Sequence, residues 1–329
     1  MNRILALGVF LALGACSEQQ PAVQDAPADT VYNVDRSRIT VSGVSSGAYM
    51  AGQLHVAYSD VFRGAGMLAG GPYACAQGDL GTALGACLKG GEIDVDALVE
   101  SAKASAEQGA IADLSNLADD TVWLFHSPTD PVVSPDTTAA SADFYQALAA
   151  SIERVDDVSV IHGFPTLDSG VACDAFEPPY VNACDYDAAG MMLTALGAGE
   201  SPVDVSAGSL ERLPVPGGPD AEMLDYAYLY VPPACASGES CGVHVALHGC
   251  VQSAEVVEDA FATLTGYNRW ADSNRLLVLY PQARSSAMAP LNPNGCWDWW
   301  GYTSDDYATR SGAQMTVIVE LIDSLAANE

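Results

Sequence analysis

Ile39-Thr40-Val41-Ser42-Gly43-Val44-Ser45-Ser46-Gly47-Ala48-Tyr49-Met50 is the stretch that decides the fold. Residues 39–41 are β-branched and read as a strand ending at a glycine turn. Residues 48–58 read as a helix. Between them, Gly43-Val44-Ser45-Ser46-Gly47 fits the pentapeptide G-x-S-x-G. A strand that turns this sharply into a helix forces the middle residue into a strained backbone conformation. Glycines two positions to either side remove side chains that would strike the neighbouring strand and helix. Ser45 then stands clear at the end of the strand as a nucleophile. The N–H groups at the helix start point toward a developing oxyanion. Ser46 is the competitor within the motif, but Ser45 holds the central place.

A serine nucleophile needs a base, and the base needs an orienting carboxylate. After a strand–turn–helix serine they follow in the order Asp or Glu, then His. Residues 121–126 read as a strand running into Ser127-Pro128-Thr129-Asp130-Pro131-Val132-Val133, which presents Asp130. Asp136 is the runner-up. The histidines are His55, His126, His162, His244 and His248. His162 ends an expected strand at 158–161 and lies on a strand-end loop after Asp130, so it is the expected base. His55, on the helix after Ser45, reads as a surface or packing residue. His244 lies within a strand and reads as structural. His126 reads as a support for the Asp130 loop.

Working outward, short apolar strands alternate with helices. Strands are expected at 64–69, 121–126, 158–161, 226–231, 243–248 and 276–280, an Ala-rich helix at 137–151, and a closing helix at 311–326. Continuous apolar strands between helices imply an α/β fold with a mostly parallel sheet and helices on both faces. The Gly/Pro-rich stretch 196–218 reads as a long surface loop within one domain.

Composition removes several function classes. The 329 residues carry 42 Asp plus Glu against 12 Lys plus Arg, a formal charge of −30. Nucleic-acid binding needs a basic footprint that this chain lacks, as does a polybasic lipid contact. With 49% hydrophobic residues, the chain is not intrinsically disordered. Residues 1–3 are a short basic start and residues 4–13 an apolar run too short to cross a bilayer. Leu13-Gly14-Ala15-Cys16-Ser17 resembles a bacterial lipobox, so residues 1–15 are expected to be a lipoprotein signal peptide. Cys16 is the expected lipidation site, and residues 16–30 an acidic tether. An ordinary secretion signal is the alternative, and either way the chain is exported, as an outer-membrane lipoprotein or in secreted or periplasmic form. Of nine cysteines, eight remain after Cys16. An even number in an oxidising compartment implies disulfides. Proximity along the chain favours Cys75–Cys87, Cys173–Cys184, Cys235–Cys241 and Cys250–Cys296. No CxxC occurs, and neither a metal nor a cofactor is expected.

One feature departs from an ordinary α/β-hydrolase. Leu247-His248-Gly249-Cys250 resembles the oxyanion loop that normally precedes the nucleophile strand, yet here it follows by some 200 residues. Joining the C-terminus to residue 31 restores the usual order, so residues 31–329 are expected to form one circularly permuted α/β-hydrolase domain. The chain resembles the single-domain, circularly permuted polyhydroxybutyrate depolymerases. The resemblance rests on G-V-S-S-G-A-Y-M at 43–50, M-L-A-G-G-P-Y-A-C at 67–75, S-P-T-D-P-V-V at 127–133 and H-G-F-P-T at 162–166. It continues through P-Y-V-N-A-C-D-Y-D-A-A-G at 179–190, L-H-G-C-V-Q-S at 247–253 and N-P-N-G-C-W-D-W-W-G-Y at 292–302. It implies Ser45 as nucleophile, Asp130 as acid, His162 as base, and an oxyanion hole made by the N–H groups of Ser46 and Cys250. It implies a serine esterase acting on poly(3-hydroxybutyrate) or its oligomers, without the family's separate substrate-binding domain. Trp297, Trp299 and Trp300 are expected either to pack as core or to line an apolar substrate cleft. A Cys250–Cys296 bridge would pin the oxyanion loop to this Trp-rich loop. A monomer is expected. The alternatives are an esterase of feruloyl or acetyl polysaccharides and a non-catalytic polymer-binding surface lipoprotein.

Overall fold

The computed structural model describes residues 23–27 and 30–326. The expected signal peptide, the expected lipidation site Cys16 and most of the expected tether lie outside these residues. In chain order the strands are β1 (Gln24–Asp25), β2 (Val34–Val44), β3 (Gly64–Leu68), β4 (Thr121–Phe125), β5 (Ser151–Val155) and β6 (Phe164–Thr166). They continue with β7 (Val171–Ala172), β8 (Val181–Ala183), β9 (Ser209–Pro214), β10 (Tyr226–Val231), β11 (Cys241–Leu247) and β12 (Leu276–Tyr280). Nine of them form one sheet in the order β1-β9-β10-β12-β11-β2-β3-β4-β5. Only β10 runs against its neighbours there. β6, β8 and β7 form a small second sheet.

The continuous apolar strands are explained by burial on both faces. Along β12, Leu277 and Leu279 enter one core, while Leu276, Val278 and Tyr280 enter the other. Helices Ser46–Ala57, Val95–Glu107 and Ala313–Leu325 supply side chains to the first core. Helices Ala188–Ala195, Ala260–Leu264 and Tyr267–Asn274 supply the second. The result is an α/β-hydrolase sheet, mostly parallel and covered on both sides.

The topology also carries the permutation. β2 leads into Ser45, and its neighbour β11, which leads into the oxyanion loop, pairs with it in parallel, Leu247 against Gly43. The two strands that shape the site therefore come from opposite ends of the chain. Those ends meet: the Tyr32 N–H donates to the Leu325 carbonyl at 2.7 Å, and Tyr32 bridges Ala326.

Four expectations are corrected. Residues 158–161 are not a strand; the edge strand is β5, immediately before them. Val160 is buried, but its N–H and C=O are both bonded by the Ser127 hydroxyl, at 2.9 and 2.6 Å, so the backbone needs no ladder. The preceding helix is Pro135–Ala147 rather than 137–151. The stretch 196–218 contains β9, and the tether contains β1, which pairs with β9 at Gln24↔Glu211. The four disulfides join Cys75 to Cys87, Cys173 to Cys184, Cys235 to Cys241 and Cys250 to Cys296.

Candidate active site

Ser45 adopts φ 55° and ψ −122°, between the end of β2 and helix Ser46–Ala57. A non-glycine residue held there costs on the order of 1–3 kcal/mol. The Ser45 N–H donates to the Leu68 carbonyl at 2.9 Å, and the Ser45 carbonyl accepts the Ala48 N–H at 2.9 Å. A Cβ on Gly43 would overlap the Gly47 carbonyl, and one on Gly47 would overlap the Leu247 carbonyl. Both glycines are therefore dictated by close backbone approach.

The structure brings Ser45, His162 and Asp130 into one hydrogen-bonded line. Ser45 Oγ lies 2.9 Å from His162 Nε2, and His162 Nδ1 lies 2.8 Å from Asp130 Oδ2. The other carboxylate oxygen, Asp130 Oδ1, accepts the N–H groups of Val132 and Val133 at 2.7 and 3.0 Å. Burial pushes the Asp130 carboxyl up. The bond to His162, its charge and the two amides outweigh burial and hold Asp130 below the usual carboxylate range. An ionised Asp130 fixes the proton on Nδ1, which leaves Nε2 free to accept from Ser45.

The remaining candidates fall elsewhere. Asp136 lies in the first turn of helix Pro135–Ala147, where a carboxylate suits the helix dipole, and makes no bond to His162. His55 is buried between the Tyr145 hydroxyl and Asp120. His244 bonds Thr40 and Ser42, and burial depresses it to about 3. His126 meets the Thr138 hydroxyl, beneath the Asp130 loop.

His248 shapes the Leu247–Cys250 segment, the expected oxyanion loop. Burial lowers it to about 4, so it is neutral near pH 7. Its Nε2 accepts the Ala283 N–H at 3.1 Å, which places the proton on Nδ1, and Nδ1 donates to the Gly249 carbonyl at 2.7 Å. In a trans peptide the next N–H points the opposite way. Among the described residues, neither the Cys250 N–H nor the Ser46 N–H has an acceptor. Gly249 packs against Ser45: a Cβ on it would lie 3.4 Å from the Ser45 Cβ.

These groups open into a cleft of about 450 Å³, walled largely by apolar side chains. Trp299 stacks on Tyr49 with ring centroids 4.2 Å apart, and Trp300 meets Trp299 edge-on; both line the cleft. Trp297 does not reach it. That ring is fully buried beneath the oxyanion loop, its Nε1 donating to the His248 carbonyl at 2.9 Å. Of the two expected roles, core packing or cleft lining, Trp297 takes the first, and its place among the substrate-binding residues is corrected. The Cys250–Cys296 bridge joins the two loops here.

Sequence reasoning missed the rest of the wall: Leu80 and Leu84, Phe176 and Tyr180, and Leu291. A signal was available. Each pair lies between two bonded cysteines, 75–87 and 173–184, and Leu291 lies between 250 and 296.

A polyhydroxybutyrate depolymerase of Talaromyces funiculosus is 35% identical to this chain, over 97% of it and 96% of that protein. The chain belongs to the polyhydroxybutyrate depolymerase family. Residues 224–329 match the family described as esterase PHB depolymerase. A poly(3-hydroxybutyrate) depolymerase of Delftia acidovorans is 37% identical over 99% of this chain; the chain spans 66% of that protein's length. The crystal structure of PHB depolymerase from Penicillium funiculosum superposes with a TM-score of 0.85 at 33% identity, covering 91% of this chain and 98% of that one. A serine-to-alanine PHB depolymerase complexed with an R3HB trimer matches equally well. The depolymerase fold and this chain's sheet are thus the same architecture.

Proposed function

We propose that this depolymerase-family chain is an exported serine esterase that hydrolyses poly(3-hydroxybutyrate) or its oligomers through Ser45, His162 and Asp130. The observation that carries the reading is the line from Asp130 to Ser45, with 2.8 and 2.9 Å links, on the floor of an apolar cleft. His162 Nε2 takes the Ser45 proton as Oγ attacks the ester carbonyl. The Ser46 and Cys250 N–H groups receive the oxyanion. As the tetrahedral centre collapses, His162 gives its proton to the departing hydroxyl, leaving an acyl ester on Ser45. Water then attacks that ester with His162 as base, releasing the hydroxy acid and restoring Ser45. A neutral, methyl-bearing polyester suits walls built from Leu84, Phe176, Leu291 and Trp299. Four disulfides support an oxidising compartment, and the lipobox-like segment supports a lipid anchor at Cys16.

The test is Ser45→Ala, assayed on polyester films, soluble hydroxybutyrate oligomers, aryl esters and acetyl or feruloyl sugar esters. The wild type is expected to release hydroxybutyrate products and the variant none, with folding unchanged. Turnover persisting in the variant, or wild-type activity confined to the sugar esters, sinks the reading.

A further inference from the structure

The oxyanion loop and the loop carrying the base come from distant parts of the chain, and one buried side chain joins them. Gln252 is 3% exposed. Its Oε1 accepts the Gly249 N–H at 2.7 Å. Its Nε2 donates to the carbonyls of Pro179 and Tyr180, at 3.0 and 3.1 Å. Tyr180 is directly tied to the base segment, because its carbonyl also accepts the Phe164 N–H at 2.8 Å, two residues beyond His162. Glycine at 249 leaves room for this bond, since a Cβ there would come within 2.7 Å of the Gln252 Oε1.

The hydrogen bonds within the loop give this bridge a role in catalysis. The Gly249 N–H is taken by Gln252, and the Val251 N–H by the Asn294 carbonyl at 2.7 Å. The Cys250 N–H between them is left without an acceptor among the described residues and faces away from the bonded Gly249 carbonyl. We infer that Gln252 is a positioning residue: it locks the oxyanion loop to the His162 side of the site, so that the Cys250 N–H and the base keep one geometry about Ser45. The bridge requires a neutral amide. One end must accept from an N–H and the other must donate to two carbonyls, which one orientation of a glutamine satisfies completely. A carboxylate of the same shape would set a negative oxygen against both carbonyls.

This inference rests on the serine-esterase reading, and the experiment separates the two. Gln252→Ala and Gln252→Glu are compared with the wild type and Ser45→Ala on p-nitrophenyl acetate from pH 4.5 to 8.5, with thermal melts of each. Gln252→Ala is expected to lower kcat about 10- to 100-fold with KM changed little, less than the roughly 10²–10³ seen when an oxyanion donor is removed outright. For Gln252→Glu, activity relative to the wild type is expected to climb as pH falls through the pKa of the introduced carboxyl, which burial and the two facing carbonyls raise above the ordinary glutamate value of about 4.3, because a protonated acid can again donate to one carbonyl. A kcat within twofold of wild type for Gln252→Ala overturns the inference, as does a loss confined to KM, or a flat ratio across pH for Gln252→Glu. Should the alanine variant not fold, the near-isosteric glutamate ratio decides. Wild-type turnover that Ser45→Ala abolishes keeps the esterase reading intact, so failure at Gln252 then counts against the bridge alone.

Discussion

Asp130→Asn removes one charge and leaves the shape, and the geometry says which way the new amide must face. An asparagine has one carbonyl oxygen to replace two carboxylate oxygens. If it faced His162, the NH2 group would point at the Val132 and Val133 N–H groups, which Oδ1 now accepts at 2.7 and 3.0 Å. Two part-buried donors would lose their acceptor, at about 1–3 kcal/mol each. The oxygen therefore stays with the two amides, and NH2 faces His162 Nδ1. That nitrogen must become the acceptor, so the proton moves to Nε2 and points at Ser45 Oγ. A base in that tautomer cannot take the serine proton. The expected loss is about 10⁴ in kcat, as for the corresponding change in a serine protease, or roughly 5.4 kcal/mol in the barrier at 1.36 kcal/mol per tenfold. The assay is kcat on a soluble aryl ester, with nitrogen NMR of the His162 ring to read the tautomer. Stability carries a second signature. Asp130 is depressed in the folded protein, so its contribution is present above the unfolded value of about 3.9 and is lost as pH falls through the folded one. The stability gap between wild type and variant should close in acid. A variant keeping more than a tenth of wild-type kcat, or a larger loss from Asp136→Asn, would refute the assignment.

Three further outcomes follow from the packing and charge. Trp297→Ala should destabilise the fold by about 3–5 kcal/mol, whereas Trp300→Ala should leave the melting temperature nearly unchanged and raise KM for oligomers; denaturant titration and oligomer kinetics check the pair. Gly47→Ala should cost more than about 3 kcal/mol, the upper end of ordinary overpacking, because its Cβ would meet the backbone carbonyls of Leu247 and His248 rather than a flexible side chain; a stable, active variant contradicts the elbow geometry. The melting temperature should rise with NaCl, since a formal charge of −30 repels itself and 1 M salt shortens screening to about 3 Å; a flat or falling trend counts against an acidic surface adapted to salt.

The parts of the site that were legible in the sequence are those under steric or chemical compulsion. Gly43, Ser45 and Gly47 were readable because backbone contact leaves no other choice, and His162 because few histidines compete for the role. Permutation was legible because the oxyanion loop stood on the wrong side of the nucleophile. What escaped was set by tertiary context. Strand β5, Ser-Ile-Glu-Arg-Val, lies at the sheet edge, partly exposed and without strong patterning, whereas Val160 in the more apolar stretch 158–161 beside it is held by a serine hydroxyl. Three clustered tryptophans gave no sign of which ring faced inward, since that depends on where the His248 carbonyl sits. Gln252 lay inside a recognised motif, but its partners at 179 and 180 are remote in sequence.

The small strand β1 has a bearing on how the molecule would be moored. It runs parallel to β9, and through the sheet it shares the direction of β2, whose far end carries Ser45. The chain thus enters the sheet at the end opposite the cleft. Seven residues, 17–23, separate Cys16 from Gln24, a reach of at most roughly 29 Å at full extension. An acylated Cys16 on so short a leash would hold the domain with its back to the bilayer and its mouth outward, toward a particle too large to diffuse to it.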